Sequence, residues 1–150
     1  NLQSCKTVSY EEKLAEVFKG ENKKIYGLES MTDQMLIYDV IPYTIQVENL
    51  LANVKDNRKN IKAKLNKLNQ MYKDKDIEGI ENSIRTSDNK TYSQYADIIL
   101  TERNLKWMKK IEPAIKTKPT FIAVGVTHLA GSEGLIMLLR KKGYKVEAVK

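Results

Sequence analysis

The sequence predicts an α/β protein, a mostly parallel sheet flanked by helices with a helical insertion in its middle. Short β-type runs lie toward the two ends: Lys24–Leu28, a run from Pro119 that ends at Gly125, and Tyr144–Val149. Only one short helical segment separates the last two, and a strand–helix–strand connection of that length implies a right-handed parallel unit. From Pro42 to Ile84, by contrast, the apolar residues return at helical spacing.

In chain order, Tyr10–Phe18 reads as a short amphipathic helix. Ser9 is its N-cap, Glu12 completes a capping box, and Gly20 can end it in a left-handed conformation. The run Lys24–Leu28 is the first strand, closed by Glu29, and Ser30–Asp33 then carries a second N-cap signal for a helix that includes Gln34. Pro42 suits a first turn, and Val47, Leu50, Leu51 and Val54 are followed at helical spacing by Ile61, Leu65, Leu68 and Tyr72. Two antiparallel helices jointed near Asp56–Asn57, or one long bent helix, both fit. A further helix spans Asp76–Ile84, and Arg85–Lys90 is polar and turn-rich, hence a loop. Tyr92–Ile115 is helical, with an interruption near Pro113. Leu135, Ile136, Leu138 and Leu139 give the last helix its buried face, and Gly143 ends it.

A length of 150 residues suits one domain with a usable core. One cysteine, Cys5, excludes a disulfide framework and a cysteine-rich zinc site. Leu2–Cys5 superficially resembles a lipoprotein cleavage box, but with no apolar run before it the match is taken as coincidence. No stretch is long and apolar enough to span a bilayer. The net charge of +7 invites a nucleic-acid reading. Its lysines, however, are scattered among asparagines and acids along helical segments, and neither an aromatic stacking platform nor a helix-turn-helix signature accompanies them. A solvated helix face is the better reading, and no nucleic-acid partner is expected.

Three positions carry chemical interest. His128, the only histidine, stands three residues beyond Gly125, where a strand runs out and the chain turns toward a helix; parallel-sheet proteins place their chemistry at such strand ends. Glu29 holds the same local position after the first strand. Its simpler reading is a helix-start carboxylate favoured by the dipole. The stripe Ala96, Ile99, Leu100, Trp107, Met108 and Ile111 lacks one turn, and the residues that fill it are Arg103 and Asn104. A guanidinium and an amide in a buried face are costly without partners. Either a carboxylate, a ligand or backbone carbonyls await them, or Arg103 snorkels past the stripe to solvent.

The ordered blocks Lys24–Glu29 with Asp33-Gln34, Glu102-Arg103-Asn104 with Trp107, Phe121–Leu129 with Gly131, and Leu138-Leu139-Arg140 with Gly143–Val146 resemble the TraB/GumN family. That family is related to the Tiki metalloproteases and more distantly to erythromycin esterase-like and ChaN-like proteins. The resemblance runs from about Ser9 to Val149 and matches only the carboxyl-terminal part of the family's single domain, half of a larger unit. Family members carry two Gly-x-x-His motifs, and here only the second is present, as Gly125 to His128.

What the resemblance implies is a metal-dependent hydrolase of peptidase type whose site is incomplete in this chain. His128 and Glu29 would be metal ligands and catalytic groups, with Arg103 a positive charge facing them. Gly125 would let the chain turn closely, and Asn104 and Gln34 would lend hydrogen bonds. The cofactor implied is a divalent ion (Mn, Co or Zn). The implied partners are an amino-terminal half bringing the other histidine and a glutamate, and a peptide or small-molecule substrate. A bacterial protein of extracytoplasmic or membrane-anchored location is implied as well. The alternative is a non-catalytic cell-envelope module that binds a ligand or peptide in the same place.

Overall fold

A computed structural model of the chain describes residues 8–56 and 58–149. Cys5, with the lipoprotein-like box around it, and Asn57 of the expected joint lie outside the described residues.

The α/β expectation is overturned. Among the described residues no strand pairs with another, and the regular structure is helical throughout. Residues 23–27, 121–125 and 144–149 carry no regular structure and no ladder. In the middle segment the alternation is nonetheless real: Ile122, Val124 and Val126 are half-buried while Phe121, Ala123 and Gly125 face out, whereas residues 23–27 are exposed throughout. Period-two patterning reports which side of a segment is covered, not what its backbone bonds to. Here the cover is helical. Leu28, Ile122 and Val124 pack on a core of Trp107, Met108, Ile111, Leu135 and Leu138.

The helices are α1 (Tyr10–Gly20), α2 (Met31–Val40), α3 (Tyr43–Lys55), α4 (Arg58–Lys73), α5 (Ile77–Arg85), α6 (Lys90–Ala96), α7 (Glu102–Thr117) and α8 (Leu135–Lys141). A π-helical turn (Asp97–Thr101) joins α6 to α7, and a 3₁₀ turn (Val126–His128) carries the histidine. The caps explain several starts. Ser9 Oγ accepts from Glu12 N at 3.2 Å, Ser30 and Asp33 form a reciprocal capping box, and Asp76 accepts from Gly79 N. Gly143, at φ +87, closes α8 in a Schellman arrangement: Tyr144 N donates to Leu139 O and Gly143 N to Arg140 O.

The Ser9 cap lacks the reciprocal Glu12 bond of a capping box, and two further local expectations fail. Gly20 belongs to α1, and the left-handed residue beyond it is Asn22 (φ 55), one of the residue types that tolerates this region. Pro113 does not interrupt α7, which continues to Thr117. The irregularity falls earlier, at Tyr95 and the π turn. The helical run from Tyr43 does divide into two helices, with Asp56 capping the first.

Candidate functional site

The missing turn of the apolar stripe is where the site forms. The π turn immediately before α7 widens the helix by one residue, a feature frequent at functional positions. Arg103 follows it on α7. Its Nε donates to Glu29 Oε2 at 3.1 Å, its Nη2 to Glu29 Oε1, and its Nη1 to Ile99 O at 3.1 Å. The guanidinium also lies 4.9 Å from the Trp107 ring centroid, a cation–π distance. Trp107 Nε1 donates to Glu29 Oε2 at 3.2 Å. The ion pair is therefore bidentate, only slightly exposed on both sides, and both carboxylate oxygens are taken. Arg103 does not snorkel away; it meets the carboxylate.

His128 also stands against Trp107, its ring centroid 4.5 Å from the indole's and tilted by 43°. His128 and Asn104 are both buried. Asn104 Nδ2 donates to two backbone carbonyls, His128 O at 3.2 Å and Glu133 O at 2.8 Å. Those bonds fix the amide's orientation, so Oδ1, 2.8 Å from His128 Nδ1, must accept. Nδ1 therefore carries the imidazole proton and Nε2 presents its lone pair; among the described residues Nε2 meets no hydrogen-bond partner. Burial, reinforced by Arg103 and opposed by Glu29, pushes the imidazole down from 6.5 to about 4. The ring is neutral at pH 7.

The loop between His128 and α8 is shaped by two glycines the resemblance does not single out as site residues. A Cβ on Gly134 would fall 2.1 Å from Ala130 O and 2.4 Å from Leu129 O, so only glycine passes there. Gly131, at φ +82, lies against the buried carboxylate of Glu81 on α5, which Arg85 also holds. Gly125 has no such need. Its φ of −60 is open to any residue, and a Cβ would make an ordinary contact, 3.8 Å from His128 Cδ2.

The structure thus brings Glu29, Arg103, Asn104 and His128 together around Trp107, with Gly125 beside the imidazole. Gln34 stands apart: it is exposed on α2 and absent from the wall of the adjoining cleft. That cleft, of about 150 Å³, opens on the ion-pair side. Asp33, Glu102, Lys106 and Lys110 surround Glu29 and Arg103 over an apolar floor that includes Leu28 and Trp107. His128 is not part of its wall. Trp107 reads from sequence as packing alone; its position one turn beyond Arg103 was the signal that it belongs to the site.

These residues do not by themselves fit a divalent ion. Among the described residues no group of three or more His, Cys, Asp or Glu side chains could hold one. Glu29, expected as a ligand, has both oxygens committed to Arg103 and Trp107. His128 Nε2 alone has the neutral, oriented form a ligand needs, its other nitrogen held by an amide oxygen.

By fold and site, this is a helical chain that clamps one neutral histidine beside a bidentate carboxylate–guanidinium pair. The chain belongs to the TraB/PrgY/gumN family, whose model matches residues 2–148. No curated protein and no solved structure matches it. None of the described helices is long and apolar enough to cross a membrane.

Proposed function

We propose that the chain supplies the histidine-bearing wall of a hydrolase site, of peptidase class, completed by an amino-terminal half of the same domain. The observation that supports this reading best is the clamped imidazole. A buried histidine kept neutral, with Nδ1–H held by Asn104 and Nε2 left open, is prepared to bind rather than to pack. A conjugate acid near 4 makes it a weak proton acceptor at pH 7. That weighs toward Nε2 as a donor atom and against a lone general base. A divalent ion of the Mn, Co or Zn kind would require its remaining ligands from the other half. Arg103 acts through Glu29, holding the carboxylate at the cleft wall, and the cleft's mixed charges suit the dipolar backbone or a charged end of a peptide.

One feature favours the non-catalytic reading, a cell-envelope module that binds peptide: both oxygens of Glu29 already accept hydrogen bonds from Arg103 and Trp107. The test separates the two. Protein expressed from the complete gene is supplied with each of the three metals and incubated with unstructured peptides, and new termini are read by mass spectrometry. Cleavage lost in His128→Ala and in Asn104→Ala supports the hydrolase. Peptide retained without cleavage transfers the case to the binding module, and cleavage that survives His128→Ala overturns the assignment of the site.

A further inference from the structure

Helix α3 is packed with its polar side inward. Asn49 Nδ2 donates to Thr91 Oγ1 at 2.6 Å, Asn49 Oδ1 accepts from Lys90 N at 3.1 Å, and Glu48 pairs with Lys90 Nζ at 2.7 Å, all at the start of α6. Gln46 Nε2 caps Tyr38 O and Ile41 O at the end of α2. The consequence is an outward apolar stripe. Tyr43, Val47, Leu50 and Val54 recur at intervals of four, three and four, with Leu51 beside them, and these five are between 51% and 79% exposed. A run of large apolar side chains on one helix face, turned away from the body that the helix packs on, marks an interaction surface.

The next helix carries the charge. α4 contains no acidic residue, and Lys62, Lys64, Lys67 and Lys73 on it are exposed. Residues 43–73 hold seven Lys or Arg against two acids, most of the chain's net +7. Two copies meeting through this stripe would bring two such arms together against their mutual repulsion. An anionic surface meets both features at once: the apolar stripe enters its oily layer, and the lysines reach its phosphates on their flexible stems. Tyr43 on α3 and Tyr72 on α4, both exposed, are of the type enriched at the boundary between headgroups and chains.

We propose that α3 and α4 form a peripheral docking arm for a bilayer rich in anionic lipid, with the Tyr43–Val54 stripe lying at the headgroup boundary and the α4 lysines against the phosphates. No residue of the arm belongs to the site, so loss of vesicle binding and loss of cleavage are read on separate variants.

Co-sedimentation with vesicles tests it. At roughly 0.1 M salt, vesicles containing about 30% phosphatidylglycerol should bind the protein at least about tenfold more strongly than phosphatidylcholine alone, and roughly 0.5 M salt should remove most of that gain. Leu50→Asp with Val54→Asp, and separately Lys62→Gln, Lys67→Gln and Lys73→Gln together, should each weaken binding by about tenfold or more. Because these positions are exposed, circular dichroism should show unchanged helix. Tyr43→Trp gives a reading on otherwise native protein, a blue-shifted emission on anionic vesicles over the constant background of Trp107. Equal binding to both vesicle types, no binding, or loss in the lysine variant alone overturns the proposal. A lipid-free dimer in analytical ultracentrifugation that Leu50→Asp dissolves also overturns it, by showing a second copy on the stripe.

Discussion

Lowering the pH should unfold this chain partly through one residue, and the single histidine makes that residue visible. His128 takes up its proton at about 4 in the folded chain, against 6.5 in its unperturbed form. Between those values the unfolded state holds more protons, so stability rises with pH there. The contribution is complete above about pH 6.5, is lost as pH falls toward 4, and does not change further below that. At about 1.36 kcal/mol per pH unit the whole effect is roughly 3 kcal/mol, of which a little over 1 kcal/mol is lost by about pH 5.5. That is a large share of a small domain's stability, on the order of 5–15 kcal/mol.

The assay has two parts. One imidazole gives one pair of ring resonances, and their titration yields the value directly; the ring ¹⁵N shifts report the tautomer, expected as Nδ1–H. Urea denaturation at pH 7.5 and 5.5 then compares wild type with His128→Gln, so that the carboxylates, which titrate in both proteins, drop out of the difference. The reasoning is refuted by a resonance that titrates near 6.5, by an Nε2–H tautomer, or by a wild-type stability that falls no faster than that of His128→Gln.

Four other outcomes follow from the same geometry. Arg103→Met should raise the His128 titration and Glu29→Gln should lower it, since the first charge opposes protonation and the second favours it; the same ring resonances decide. Asn104→Leu should release the tautomer and cost about 2–3 kcal/mol in denaturation, because the carbonyls of His128 and Glu133 lose their donor. Trp107→Ala should cost about 3–5 kcal/mol in the same assay, from a buried ring that also donates to Glu29. Gly134→Ala should cost about 3 kcal/mol or more through overpacking against two carbonyls, whereas Gly125→Ala should be neutral to slightly stabilising, and a thermal-melt comparison of the pair would expose an error in the loop.

What was legible in the sequence was local, or followed from a mismatch. The caps at Ser9 and Ser30 and the stop at Gly143 rest on bonds spanning only a few residues, and the structure forms them. Arg103 and Asn104 were legible as an interruption: charge and amide in an apolar stripe demand partners, and the chain provides Glu29 and two carbonyls from 24 to 74 residues away. The identities of those partners were not written in the stripe itself. The need for glycine at 131 and 134 was equally invisible, because it arises from Glu81 and from the carbonyls of Leu129 and Ala130, which only the folded loop brings near.

The sheet was misread for a related reason. Alternation in Phe121–Val126 correctly marks which side chains turn inward, but the same alternation serves an unladdered segment that packs on α7 and α8. Helix α3 poses the opposite case, for there the periodicity is right and the direction is not implied by it. Val47, Leu50 and Val54 share a face, yet the hydrogen bonds of Asn49 and Gln46 turn that face outward. Apolar spacing states that a surface is better covered than wet. In α7 the cover is the chain itself, whereas in α3 it must come from another body, which is why the lipid test bears on the fold as much as on location.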